Sequence, residues 1–127
     1  MSLRILIVDD DPLILQALRV ALEPDGYALT TVGDGHAAID ALLAADATGT
    51  PFDVVITDLL VPNAGGYTVA ATVKRIRPQT PVILLTGQGE SVQKDRPQAY
   101  VDRILTKPPR VSELRAALKE LTGTAKP

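Results

Sequence analysis

The chain has no cysteine and no tryptophan, and aromatics make up only 3% of its 127 residues. Lack of cysteine removes disulfides, thiolate metal sites and Cys nucleophiles together. So few aromatics leave no base-stacking surface for single-stranded nucleic acid. A strong charge of either sign is also missing, since 13 basic residues stand against 15 acidic ones for a net charge of -2. That balance favours neither nucleic acid nor an anionic membrane as a direct partner. No apolar run approaches the roughly 20 residues that a spanning helix needs. The first residues lack the basic region and long apolar stretch of a secretory signal. A cytoplasmic location is the expectation.

The length suits one domain and can bury a core without metal or disulfide staples. Residues 1–122 are expected to form it, with 123–127 as a tail or the start of a linker.

Apolar segments alternate between two patterns. Arg4–Val8 (RILIV) is a short apolar run bounded by three acids, the mark of a strand buried on both faces. Pro12 then opens LILQALRVALE, whose Leu15, Leu18, Ala21 and Leu22 recur at helical spacing. Pro24-Asp25-Gly26 ends that helix. A weaker strand at Tyr27–Val32, a helix in HAAIDALLAA, and a strand at Phe52–Thr57 follow. A loop from Val61 to Gly66 leads to a helix at Tyr67–Ile76, then a strand at Pro81–Leu85. Gln88–Gln98 is polar, holds Pro97 and has no apolar stripe. A last strand at Tyr100–Leu105 and the helix VSELRAALKEL complete the chain. Strands alternating with helices predict a doubly wound, three-layer α/β fold with a parallel sheet covered on both faces.

Ligands of such folds bind outside the C-terminal ends of the strands. The chemically capable residues all fall there: Asp9 and Asp10 after the first strand, Asp58 after the third, Thr86 after the fourth, Lys107 after the fifth. Taken alone, Asp9 and Asp10 suit a helix cap as well as a metal ligand, and Asp11, directly before Pro12, reads as the cap. Together the acids would repel and raise one another's pKa values unless a hard cation joined them. Mg²⁺ (or Mn²⁺) accepts a few carboxylates, a backbone carbonyl and waters. Asp9, Asp10, Asp58 and the Leu60 carbonyl are the candidate ligands. Asp58 is the candidate nucleophile, since a carboxylate can form an acyl phosphate. Lys107 and the Thr86 hydroxyl can neutralise and bind phosphoryl oxygens. Gly87, without a side chain, leaves room for the group.

The segments ILIVDDDP, DVVITDLLVPNAGG, VILLTG and ILTKP, in that order, resemble the receiver domain of bacterial two-component response regulators. The resemblance covers Arg4 to about Leu121. It implies a five-stranded, flavodoxin-like parallel sheet of order 2-1-3-4-5. It implies that Asp58 is the phosphoacceptor, Asp10 a direct metal ligand and Asp9 an acid acting through a metal-bound water. Thr86 and Lys107 become the residues that meet the phosphate. The implied donor is a sensor histidine kinase or a histidine phosphotransfer protein. The family also dimerises or docks through the face of its fourth helix, fifth strand and fifth helix.

The chain departs from the pattern in places. Ile104 stands where the family commonly has an aromatic, three residues before the lysine, and Val61 replaces the usual methionine before Pro62. The missing stripe in Gln88–Gln98 predicts a short or irregular fourth helix. Leu60 cannot orient a hydrolytic water whereas Gln88 can, so intermediate to slow loss of the phosphoryl group is expected. Leu60 also stands where aspartyl-phosphate hydrolases keep a general acid, which speaks against an enzyme of that kind. Three aspartates after the first strand are unlike the phosphate-cradling loop of a flavodoxin-type binder. A receiver fold that no longer accepts phosphate is disfavoured by the complete acid, Thr and Lys set. His36, at a helix start, reads as solvated, and Tyr67 and Tyr100 read as packing residues.

Overall fold

The computed structural model describes residues 3–87 and 100–123. Its strands are β1 (Arg4–Val8), β2 (Ala28–Val32), β3 (Val54–Asp58), β4 (Val82–Thr86) and β5 (Arg103–Thr106). Its helices are α1 (Pro12–Leu22), α2 (Gly35–Ala47), α3 (Gly66–Ile76) and α4 (Val111–Thr122). All strand pairings are parallel, in the order β2-β1-β3-β4-β5. The expected doubly wound sheet is therefore present. The irregular fourth helix expected at Gln88–Gln98 lies outside the described residues, so α4 corresponds to the fifth helix of the expected pattern.

Why the central strands are apolar on both faces along most of their length follows from the two cores. Side chains alternate between faces along a strand. Leu6 and Val8 of β1, Val55 of β3 and Val82 of β4 point into one core with Ala38 and Leu42 of α2 and Val69 and Val73 of α3. Ile5 and Ile7, Val54 and Ile56, and Ile83 and Leu85 point into the other, with Leu18 and Leu22 of α1 and Leu114 and Leu118 of α4. Both faces are dry, so both registers of the pleat need hydrocarbon. Truncating one such Leu to Ala costs about 2–5 kcal/mol in a packed core.

Local signals set the helix ends. Asp11 caps α1 by accepting the Leu13 N–H at 2.9 Å, with Pro12 at the first helical position. The expected cap role of Asp11 is therefore observed. Asp34 caps α2 in the same way, accepting the Ala37 N–H at 2.7 Å. Gly123 ends α4 in the left-handed conformation.

Some boundaries move. β3 begins at Val54 and β5 at Arg103, later than the apolar runs suggest. In both cases an aspartate takes over the backbone partnership ahead of the strand. Asp53 Oδ2 accepts the Arg4 N–H at 2.7 Å, and Asp102 Oδ2 accepts the Val82 N–H at 2.8 Å and pairs with Lys74 Nζ at 2.7 Å. At the other ends, Asp58 and Thr86 are the last residues of their strands rather than the first beyond them. The ladder therefore continues into the site itself.

Candidate functional site

β1 and β3 are neighbours in the sheet, with Val8 beside Thr57. This register brings the residues after β1 level with the end of β3. One carboxylate oxygen from each of Asp9, Asp10 and Asp58 lies within 4.8 Å of the others. Asp9 is fully buried and Asp58 nearly so, whereas Asp10 is exposed. Consecutive side chains at a strand end diverge, so one acid is driven into the floor and its neighbour lies at the rim.

Backbone donors orient the floor. The Asp11 N–H donates to Asp9 Oδ1 at 2.9 Å, and the Asp9 N–H donates to the Val32 carbonyl of β2 at 3.2 Å. The Thr57 hydroxyl, fully buried, donates to the Asp58 carbonyl at 3.0 Å. Asp9 Oδ2 then faces Lys107.

Lys107 Nζ lies 3.1 Å from Asp9 Oδ2 and 3.2 Å from Asp58 Oδ2. Its backbone N–H donates to the Thr86 carbonyl at 2.7 Å, which ties the start of the β5–α4 loop to the end of β4. The Lys107–Pro108 peptide is cis. By distance both contacts are ion pairs. Asp58 Oδ1 is buried without a hydrogen-bond partner, and Asp9 Oδ2 has only the Lys107 ion pair. Buried, unpartnered carboxylate oxygens are costly. They are what a divalent cation would satisfy.

The electrostatics follow the burial. Loss of water pushes the Asp9 carboxyl above its ordinary pKa, ahead of the opposing pull of the Asp11 N–H and Lys107 and the added repulsion of Asp58. Repulsion among the acids, the cause expected from the sequence, is therefore secondary to desolvation. Burial of the Lys107 ammonium pulls its pKa down, yet the combined attraction of Asp9 and Asp58 prevails and leaves it raised.

The other candidates are placed unevenly. Thr86 is buried at the end of β4, beside Thr106 and one residue beyond Leu85, the partner of Asp58. No hydrogen bond joins its hydroxyl to the three acids among the described residues. Leu60 is 62% exposed in the loop after Asp58. Gly87 follows β4 at the site edge. His36 is exposed in the first turn of α2, away from any role in the acid cluster. Tyr100 packs against the core beside α2 and α3, as expected, whereas the Tyr67 hydroxyl is buried without a partner. Gln88 lies outside the described residues.

Two glycines and two left-handed residues were not singled out in the sequence, yet they shape the loop after Asp58. A Cβ on Gly66 would stand 2.4 Å from the Asp58 carbonyl oxygen, and one on Gly35 would stand 1.8 Å from the Ala64 carbonyl oxygen. Asn63 and Ala64 have φ of 55° and 76°. The available signal was Asp34-Gly35 as a cap pair, which marks a helix start but not what that start touches.

Comparison with known proteins gives one consistent family. A family model described as the response regulator receiver domain matches residues 5–119. The transcriptional regulatory protein TcrA of Mycobacterium tuberculosis is 35% identical over 122 residues, covering 95% of this chain and 46% of that protein. The response regulator MprA of Mycobacterium bovis is 30% identical over 128 residues, covering 100% of this chain and 54% of that protein. The chain thus spans about half the length of the curated relatives it matches. Among solved structures, the signal receiver domain of an HD domain-containing protein from Pseudomonas fluorescens Pf-5 superposes with a TM-score of 0.84 at 32% identity, covering 98% of this chain and 97% of that one. The receiver domain of a sensor histidine kinase from Pseudomonas aeruginosa, solved with a magnesium ion coordinated in its active site cleft, gives 0.81 at 26% identity, covering 97% of this chain and 99% of that one.

Proposed function

The chain belongs to the response regulator receiver domain family, and from that premise we propose that Asp58 accepts a phosphoryl group in a Mg²⁺-dependent reaction. The observation that carries this reading is the pair of buried oxygens without hydrogen bonds, Asp9 Oδ2 and Asp58 Oδ1, in a three-acid cluster faced by Lys107.

Asp9, Asp10, Asp58 and the Leu60 carbonyl would hold the cation. Bound there, Mg²⁺ supplies charge neutralisation and an anchor for phosphoryl oxygens. The charge and donor set fit it, since three carboxylates converge and two of their buried oxygens have no hydrogen bond.

The residues of the chain do the rest. Asp58 supplies the nucleophilic carboxylate. It attacks the phosphorus of a phosphohistidine. A new P–O bond forms to the carboxylate, the P–N bond breaks, and the imidazole leaves with the electron pair. Lys107, already balanced between Asp9 and Asp58, can pair with a phosphoryl oxygen without crossing the site. Thr86 stands on the adjoining strand end, where its hydroxyl can donate to another.

The histidine donor belongs to a sensor histidine kinase or a histidine phosphotransfer protein. The domain runs over residues 1–122, with 123–127 as a tail or the start of a linker, and works in the cytoplasm. No helix among the described residues is long and apolar enough to cross a membrane. The family character is that of a signalling switch, whose catalysis is confined to its own phosphorylation and dephosphorylation. Its output is a changed docking surface, with homodimerisation through the face that holds β5 and α4.

Incubation with Mg²⁺ and phosphoramidate, followed by intact-mass measurement, tests the reading. One added phosphoryl group that disappears in Asp58→Asn and in EDTA is expected. No addition, or addition that persists in Asp58→Asn, overturns it.

A further inference from the structure

We propose that the start of α2, Asp34 with Gly35, is a positioning element for the phosphorylation site: it clamps the loop after Asp58 in the shape that presents the Leu60 carbonyl to the acid cluster. This rests on the reading of that cluster as a Mg²⁺ site.

The two elements are in direct backbone contact. The Gly35 N–H donates to the Pro62 carbonyl at 2.9 Å. A Cβ at Gly35 would stand 1.8 Å from the Ala64 carbonyl oxygen and 2.3 Å from that of Asn63. No side chain other than hydrogen fits, so the first turn of α2 is seated on the loop itself. Asp34 holds that turn in place, because its Oδ1 accepts the Ala37 N–H at 2.7 Å.

The loop needs such a restraint. It turns through Asn63 and Ala64, both left-handed at φ 55° and 76°. That region is open to Asn but costly for Ala, and it persists only where surroundings enforce it. On the near side the loop is anchored by the Gly66 N–H, which donates to the Leu59 carbonyl at 3.0 Å. Leu60 lies within this closed turn with a 62% exposed side chain, so its own packing does not fix its carbonyl. Its position is set by the anchors at Gly66 and at Gly35. Groups that orient a metal ligand without touching the metal commonly change affinity about 10- to 100-fold when altered.

A pair of alanine substitutions two residues apart tests this. Nothing lies within 4 Å of a Cβ built at Gly33. Gly33→Ala is expected to keep wild-type Mg²⁺ affinity by calorimetric titration, whereas Gly35→Ala weakens it about tenfold. Amide resonances of residues 60–64 in EDTA are expected to move in Gly35→Ala and not in Gly33→Ala. Asp34→Ala weakens Mg²⁺ binding severalfold, and Asp34→Asn restores it, since asparagine caps as well as aspartate. That rescue separates the cap from long-range attraction of the cation, because asparagine carries no charge. Should Gly35→Ala fail to fold, the Asp34 pair decides. Wild-type chain that binds no Mg²⁺ overturns the site reading and the clamp together. Wild-type binding matched by Asp34→Ala, or not restored by Asp34→Asn, overturns the clamp alone.

Discussion

Lys107 Nζ stands 3.2 Å from Asp58 Oδ2, across the gap between the ends of β5 and β3. With Asp9 at 3.1 Å it forms a single cation shared by two buried acids. The ion pairs are therefore a structural restraint on the acid cluster, and in the proposed function Lys107 is also the partner of a phosphoryl oxygen.

Lys107→Ala removes that partner. Loss of one preorganised donor in a low-dielectric site costs about a hundredfold in rate. The phosphoramidate-dependent phosphorylation rate of Lys107→Ala, followed by intact mass, is expected to fall by about that factor. An unchanged rate would show that Lys107 serves the acids only.

Asp9 carries a pH signature in the absence of metal. Burial raises its folded pKa above the ordinary 3.8. As pH rises past the ordinary value, the unfolded chain releases this proton first and folding is penalised until the folded group ionises too. The stability contribution is thus full below the ordinary pKa and lost as pH rises through the folded one. In EDTA, Asp9→Asn should melt above the wild type at neutral pH, with the gap closing towards acid. Asp34 has the opposite sign, because the Ala37 N–H holds its pKa below 3.8. Its contribution is present above that value and is lost as pH falls through the lowered one. Paired thermal melts across pH in EDTA read both effects.

Mg²⁺ reverses the advantage of Asp9→Asn. A ligand bound only by the folded state stabilises it by about 2.7 kcal/mol at one hundred times its dissociation constant. The wild-type melting temperature should rise by several degrees under that condition, while Asp9→Asn and Asp58→Asn rise far less. Equal shifts in all three would place the cation elsewhere.

Backbone fit at the loop predicts two stability changes of opposite character. Gly66→Ala forces a Cβ to 2.4 Å from the Asp58 carbonyl oxygen and 2.9 Å from Leu59 Cα, both backbone atoms that cannot step aside. Overpacking of this kind costs about 1–3 kcal/mol. Ala64→Gly relieves a left-handed alanine worth about 1–2 kcal/mol, less the roughly 0.5–1 kcal/mol that glycine loses in chain entropy. A near-neutral to mildly stabilising effect is expected by urea denaturation. A large loss at Ala64→Gly would mean that its methyl packs usefully.

In the proposed function, Leu60 bears on the lifetime of the acyl phosphate. Its exposed side chain beside Asp58 offers no group to orient an attacking water. Leu60→Gln is expected to shorten the lifetime severalfold, measured by the decay of the phosphorylated mass after removal of the donor.

Much of this protein was legible along the chain because it is local chemistry. Apolar runs such as RILIV and VILLT mark strands that must be dry on both faces, and the two cores that meet on the sheet show why. Asp11-Pro12 announces a helix start from cap geometry alone. The order of Asp9, Asp10, Asp58, Thr86 and Lys107 at the ends of the first, third, fourth and fifth strands was enough to name the candidate site. Tertiary structure decided what no local pattern holds. The register of β1 against β3 brings Asp9 and Asp10 level with the end of β3, where packing encloses Asp9 fully and leaves Asp10 exposed. Packing of α2 on the loop after Asp58 makes Gly35 a contact surface. Capping and hydropathy act over a few residues, whereas desolvation and steric fit depend on which distant segments come to lie against each other.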